Sequence, residues 1–293
     1  MMRTIIIEQE SIIYKKNKMF FAVLFIAVLF VAIVFCFALC NGQKGWSFSN
    51  GELVISSSSL KTESFKYEQS PWHNIRKKIT KITFKEDVVN IPGWSFIGCI
   101  NLKRVFIPNQ VKSIGSKAFS NCKSLEDIRI PDKIDLCTDT FMNTKWYNEQ
   151  PEGVLVLNNY VLGYKGKGKK ELRIKEGSKY IIENAFEGNN NISQVFIPNS
   201  VIDIGAFAFY SCNNLKELKI GKNVQKIGYY AFCGTNLHKI IIKNKITKID
   251  NDAFGDYTNK KEMLHKDCVI YCYRNSTFFK YAQKNGIKIK EWK

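Results

Sequence analysis

The chain has few of the residues that do chemistry. Only three histidines occur in 293 residues, His73, His238 and His265, which leaves little room for imidazole-based acid–base or metal work. No CxxC pair occurs, so a zinc clamp is not expected, and nine cysteines are far below the density of a small disulfide scaffold. GxSxG, HExxH, a phosphate-cradling Walker loop and GxGxxG are all missing. Paired carboxylates do occur, but Glu126 and Asp127 are adjacent on a strand and point to opposite faces. Asp250 and Asp252 sit at a turn, so both pairs read as solvated acids. A His–Cys dyad would need His238 to meet Cys233 or Cys212, yet each of these cysteines has a place in the repeat described below. The expectation is therefore no enzyme, no catalytic, cofactor-binding or metal-ligating residue, and no cofactor.

Negative charge is also short. Against 44 Lys and Arg stand 26 Asp and Glu, a formal +18, so the surface attracts anionic material without specifying which. At 45% hydrophobic and 24% charged the chain is neither a disordered tail nor a polytopic transporter. One long apolar run exists. Residues 19–40, MFFAVLFIAVLFVAIVFCFALC, carry no charge over 22 positions, enough helix for a bilayer core of about 30 Å. Arg3, Lys15, Lys16 and Lys18 precede it against Glu8 and Glu10. That asymmetry predicts a single-pass signal anchor with residues 1–18 cytoplasmic and the remainder outside the plasma membrane. Ala38-Leu39-Cys40 keeps open a cleaved signal and a secreted product, and modification of Cys40 is a third option. The exported part still carries 40 cations against 24 anions, so the basic character is not confined to the flank. A translocated domain without a nucleic-acid module is not expected to bind nucleic acid.

The dominant signal is a period. Phenylalanine returns at Phe96, Phe119, Phe141, Phe186, Phe209, Phe232 and Phe254, in steps of 23, 22, 45, 23, 23 and 22. Alanine precedes it at Ala118, Ala185, Ala208, Ala231 and Ala253. Upstream runs a β-branched column, Val88/Ile91, Val111/Ile114, Val201/Ile204, Val224/Ile227 and Ile246/Ile249. Downstream runs a third column, from Ile79-Ile82-Phe84 and Leu102-Val105-Ile107 to Leu215-Leu218-Ile220 and Leu237-Ile240-Ile242. Its last two members are two residues apart and face the same way in a strand. Pro108, Pro131 and Pro198 end the third column, and Gly115, Gly205 and Gly228 follow the second at turns. Each unit holds too few apolar side chains to close a core alone. Only stacking on neighbours buries them, which predicts a solenoid of parallel β-strands with short helical or irregular turns. Cys99, Cys122 and Cys212 each fall three residues after the marker Phe and read as small apolar core groups, as free thiols rather than bridges between coils. The step of 45 holds one coil plus an insertion at about 146–170, in which Gly153–Leu157, Asn158-Asn159 and Tyr160–Tyr164 spell a hairpin. Lys165-Gly166-Lys167-Gly168-Lys169-Lys170 after it reads as a solvated linker, with a polyanion-contacting finger as the alternative.

Segments such as IGSKAFSNCKSLEDIRIP (114–131) and IGAFAFYSCNNLKELKIG (204–221) resemble repeats of the BspA-like leucine-rich repeat family of surface proteins. The likeness covers residues 79–258. GWSFSNGELVIS (45–56) with Pro71-Trp72 resembles the family's β-rich lead-in, giving a cap over 41–78. The insert from Trp146 through PEGVLV also looks like an element of its bacterial members. VIYCYRNSTFFKYAQKNGIK (269–288) is similar to its closing strand and helix, giving a cap over 259–293. The sequence departs from the pattern at Pro92 and Asp250, where Gly is usual, at Asn189 in place of Cys, and in a coil one residue short around Cys233. The resemblance implies a curved coil stack at the cell surface that binds and does not catalyse.

One outward residue lies between the last two inward residues of each long strand: Thr83, Phe106, Arg129, Arg173, Phe196, Lys219 and Ile241. Rings supply stacking area and cations neutralise acids, so this column, Thr83 apart, is the expected ligand-binding strip. The expected partner is a host or neighbouring-cell protein or glycan. The competing expectation is a structural role, with the basic domain holding anionic envelope polymer by charge alone.

Overall fold

In a computed structural model, the structure describes residues 45–60, 64–66, 69–244, 248–250, 252–255, 264 and 266–292. The apolar run 19–40, Ile246 and His265 lie outside them, and among the described residues no helix is long and apolar enough to cross a membrane. The chain is a mostly-β solenoid. It enters through an antiparallel pair, β1 (Trp46–Ser49) and β2 (Glu52–Ile55), and β2 pairs in parallel with β3 (Lys81–Phe84). Coils then alternate a short strand with a longer one: β4 (Asn90–Ile91), β5 (Arg104–Phe106), β6 (Ser113–Ile114), β7 (Asp127–Arg129) and β8 (Asp135–Leu136). Helix α1 (Lys145–Glu149) and the hairpin β9 (Gly153–Leu157) and β10 (Tyr160–Lys165) follow. The alternation resumes with β11 (Glu171–Arg173), β12 (Tyr180–Ile181), β13 (Gln194–Phe196), β14 (Asp203–Ile204) and β15 (Glu217–Ile220). It continues through β16 (Lys226–Ile227), β17 (Lys239–Ile242) and β18 (Lys248–Ile249), and ends in β19 (Val269–Tyr273), α2 (Thr277–Lys284) and β20 (Lys288–Trp292).

The repeat columns become the core. All seven marker rings are buried, and they stack in two runs: Trp72–Phe96–Phe119–Phe141 with centroids 5.0 to 5.6 Å apart, and Phe186–Phe209–Phe232–Phe254 at 4.9 to 5.1 Å. The Ala–Phe corner also carries the coil-to-coil hydrogen bonds. Phe96, Phe186, Phe209 and Phe232 each donate N–H to the carbonyl of Ala118, Ala208, Ala231 or Ala253 in the next coil, at 2.7 Å. Small residues let backbones approach this closely. The three turn glycines serve the same end: their φ is not left-handed, but a Cβ on Gly115, Gly205 or Gly228 would lie 2.4 to 2.6 Å from the backbone of the preceding coil. The stack is sealed at one end by Trp72, whose indole N–H reaches Ser95 O at 2.6 Å, and at the other by Phe278 and Tyr281 of α2 packed on Phe254.

All seven described cysteines are free thiols. Two of the column do more than fill space: Cys122 Sγ donates to Phe96 O at 3.2 Å and Cys212 Sγ to Phe186 O at 3.1 Å, each reaching the marker of the preceding coil. Burial pushes the Cys212 and Cys268 thiols up to about 12, so both stay protonated and unreactive at neutral pH.

The hairpin is stitched into the stack. Strand β10 pairs in parallel with β12, so it serves as a short strand, and β9 forms the edge of that six-stranded sheet. Its buried Tyr160 hydroxyl accepts from Ile134 N at 2.7 Å and donates to Asp132 O at 2.9 Å, closing the gap to the coil of β8. Lys165 Nζ donates to the carbonyls of Tyr147, Asn148 and Gln150 at 3.0, 2.7 and 2.6 Å. The first cation of the lysine-rich loop thus locks the C-terminal end of α1, where a positive charge is favoured.

Candidate binding surface

A strand with one buried face presents its other residues to solvent at fixed spacing, so the outward side chains of the long strands form a ladder. Register assigns each one. Phe106 lies opposite Arg129 in the β5–β7 pair. Arg173, Phe196, Lys219 and Ile241 follow one another across β11, β13, β15 and β17. No strand pairing joins β7 to β11, because α1 and the hairpin intervene, so these residues form two ladders. Thr83 lies on β3 opposite Val54 and donates its hydroxyl to Glu52 at 2.6 Å.

The two ladders differ in how far their side chains satisfy one another. The Arg173 guanidinium lies 4.1 Å from the Phe196 ring centroid and Lys219 Nζ 4.5 Å, so Phe196 is bracketed by cations. Arg173 also pairs with Glu171, and Glu217 takes both Lys219 at 3.4 Å and Lys239 at 3.5 Å. Phe106, by contrast, is 63% exposed, and among the described residues its neighbour Arg129 pairs with the exposed Asp127 alone, at 3.4 Å. Exposed pairs of this kind are each worth about 0–1 kcal/mol, so Arg129 is readily released to a ligand.

The ladder is longer than the repeat columns indicate. Register carries it past Ile241 to Tyr271 on β19 and Lys290 on β20. Lys239 and Lys290 lie 5.9 and 5.5 Å from the Tyr271 ring, a second ring between cations. The signal was present in VIYCY, where Tyr271 stands between the buried Ile270 and Cys272, but the closing strand lacks the Pro and Phe that mark the repeats.

The remaining reactive groups are engaged elsewhere. His238 Nδ1 lies 2.7 Å from Asn236 O, and Cys212 Sγ donates to Phe186 O at 3.1 Å. Among the described residues no group of three or more His, Cys, Asp or Glu could hold a metal ion.

The profile of the BspA type leucine rich repeat region matches the chain in six copies, over residues 47–148, 149–261 and 179–289. Among solved structures, the chain is similar to a leucine-rich cell surface protein of Faecalibacterium prausnitzii, 21% identical over 73% of this chain and 54% of that one, with a TM-score of 0.38. It thus spans about half of that chain. A leucine-rich repeat protein of Eubacterium ventriosum is 16% identical over 84% and 82%, TM-score 0.31. The pneumococcal vaccine antigen PcpA is 14% identical over 83% and 79%, TM-score 0.30. No curated protein matches.

Proposed function

We infer the function from one premise, that the chain belongs to the BspA-type leucine-rich repeat family: it is a cell-surface recognition or adhesion protein without catalytic activity. It is displayed outside the plasma membrane on the apolar segment 19–40, and it grips a protein or glycan of a host or neighbouring cell through the outward ladder of its long strands. Phe106 carries this reading. A phenylalanine 63% exposed beside Arg129 offers stacking area and a releasable guanidinium at one point, and arginine is among the residues enriched at binding hot spots. Arg173, Phe196, Lys219 and Ile241 extend the contact.

The rival is envelope retention, and the net charge of +18 favours it. The test is an array of glycans, matrix proteins and anionic wall polymers probed with the full chain at low and high salt. Recognition predicts signal on a protein or glycan that survives in part at about 0.5 M salt, where exposed charges are screened beyond about 4 Å. It also predicts loss of that signal in Phe106→Ala/Phe196→Ala. Retention predicts signal on anionic polymer alone, abolished by salt and indifferent to the two rings. A blank array at low salt removes both.

A further inference from the structure

The short strands have outward residues too. Each of β4, β6, β8, β12, β14 and β16 places one before its buried member, and Asn90, Ser113, Asp135, Tyr180, Asp203 and Lys226 floor a groove of about 990 Å³ that reaches from the coil of β4 to Asp250. Gly115, Gly205 and Gly228 keep that floor low. Its charge is opposite to that of the molecule. In a chain of net +18, Asp135, Glu183, Asp203 and Asp250 line the groove, and Lys226 is the only ammonium among its described lining residues. Asp203 Oδ1 is buried without a hydrogen-bond partner. Burial raises the pKa of the Asp203 carboxyl, Lys226 pulls it back, and Asp250 and Asp135 raise it further.

At one lip stands a cluster of rings. Tyr229, 42% exposed, lines the groove and stacks on Tyr230 at 3.9 Å. Phe207 meets Tyr229 and Tyr230 edge-on at 5.7 Å and Tyr210 at 5.6 Å. Phe207 and Tyr230 have φ of 54° and 52°, a conformation that bulky side chains rarely adopt. The same position of the neighbouring coil is Asn184, φ 58°, a residue that tolerates it, so the backbone alone does not call for rings there. Ring faces beside carboxylates attract organic cations. Asp203 and Asp250 belong to coils two strand spacings apart, about 10 Å, beyond the reach of one ammonium. The complementary ligand therefore carries its charges in series along an extended chain.

We propose that this groove docks an extended, lysine- or arginine-bearing peptide segment of a partner protein, its cations against Asp203, Asp250, Asp135 and Glu183 and its aliphatic stems over Tyr229. The site lies on the short-strand side and does not depend on the Phe106 ladder.

The test is fluorescence anisotropy with the full chain and labelled (Lys-Thr)4, with (Glu-Thr)4, spermidine and a neutral hexasaccharide as competitors. The lysine peptide binds despite the chain's positive charge, and neither the glutamate peptide nor the sugar displaces it. Asp203→Asn/Asp250→Asn weakens it about fivefold or more, and Tyr229→Ala weakens it about threefold. Lys226→Ala tightens it, a gain that misfolding cannot mimic. Phe106→Ala/Phe196→Ala leaves it unchanged, which keeps failure here distinct from failure of the ladder. The proposal is overturned if (Lys-Thr)4 does not bind, or if the two Asp→Asn changes leave its affinity intact. It is equally overturned if spermidine competes at the same concentration, which makes the groove a small-amine site, or if the hexasaccharide takes the peptide's place, which makes the ring cluster a sugar platform.

Discussion

The long-strand ladder and the short-strand groove are built by the same coils, each strand offering one outward side chain per step, yet they end with opposite electrostatics. On the ladder, cations and rings satisfy one another: Arg173 and Lys219 bracket Phe196, and Glu217 takes Lys219 and Lys239. Phe106 is the exception, with no cation over its ring among the described residues. In the groove the carboxylates gather and Asp203 Oδ1 is left unpaired. A solenoid fixes the spacing of its outward residues but not their chemistry, because neither sheet's outward side chains enter the core. Two binding chemistries can therefore sit on opposite sides of one stack.

The largest effect should come from the shared core. Phe209 is fully buried between Phe186 at 4.9 Å and Phe232 at 5.0 Å. Phe209→Ala should cost about 3–5 kcal/mol in urea unfolding and remove binding at both faces together. Loss at one face alone would break the claim that a single core supports both. Next comes the stitch between the two ring stacks. Tyr160→Phe keeps the ring but leaves Ile134 N–H and Asp132 C=O without their partner, for about 1–3 kcal/mol. Hydrogen exchange should then rise around 130–136 and 158–162 ahead of the distant coils. Uniform protection would show that the hydroxyl does not join the blocks.

These two cases mark where the sequence stops being legible. Phe209 is readable because a buried column must repeat: every coil meets the same neighbours, so the period survives in the residues. The partners of Tyr160 are not readable, because its hydroxyl meets a loop of another coil and nothing periodic records that contact. The turn glycines were legible as turns, but their cause, backbones 2.4 to 2.6 Å from an added Cβ, exists only once coils are stacked. The ladder could be derived by counting from the strands, whereas its break between β7 and β11 could not. The groove is not legible as a period, because its floor residues differ in size and charge from coil to coil while the buried residues behind them repeat. The same count one residue before Ile114, Ile181, Ile204 and Ile227 yields Ser113, Tyr180, Asp203 and Lys226, a column whose chemistry changes at every coil.

Within the ladder, a bracketed ring and a bare one should respond in opposite ways. Phe196→Ala gives up two cation–π contacts and should lower stability by about 0.5–1 kcal/mol, while Phe106→Ala should stay within about 0.5 kcal/mol. In array binding the order reverses: Phe106→Ala loses more signal, because no cation must leave its ring before a ligand arrives. Equal effects of the two on stability would mean that the brackets on Phe196 contribute nothing.

The smallest expected effect tests the groove itself. The folded pKa of Asp203 is raised, first by burial and then by Asp250 and Asp135, with Lys226 partly opposing. A carboxyl raised in this way binds its proton more tightly folded than unfolded, so stability falls as pH rises from the ordinary value of 3.8 through the raised one. Above that window the penalty is constant, and below it both states are protonated and the penalty is gone. Asp203→Asn should therefore stabilise the protein at pH 7 and make no difference at pH 3. Asp203 is partly open to solvent, which screens the repulsion and limits the gain to about a few tenths of a kcal/mol. Thermal unfolding at the two pH values decides the point. A variant less stable than the parent at pH 7 would mean that Lys226 already neutralises this carboxylate, and the contrast between a satisfied ladder and an unsatisfied groove would not hold at its centre.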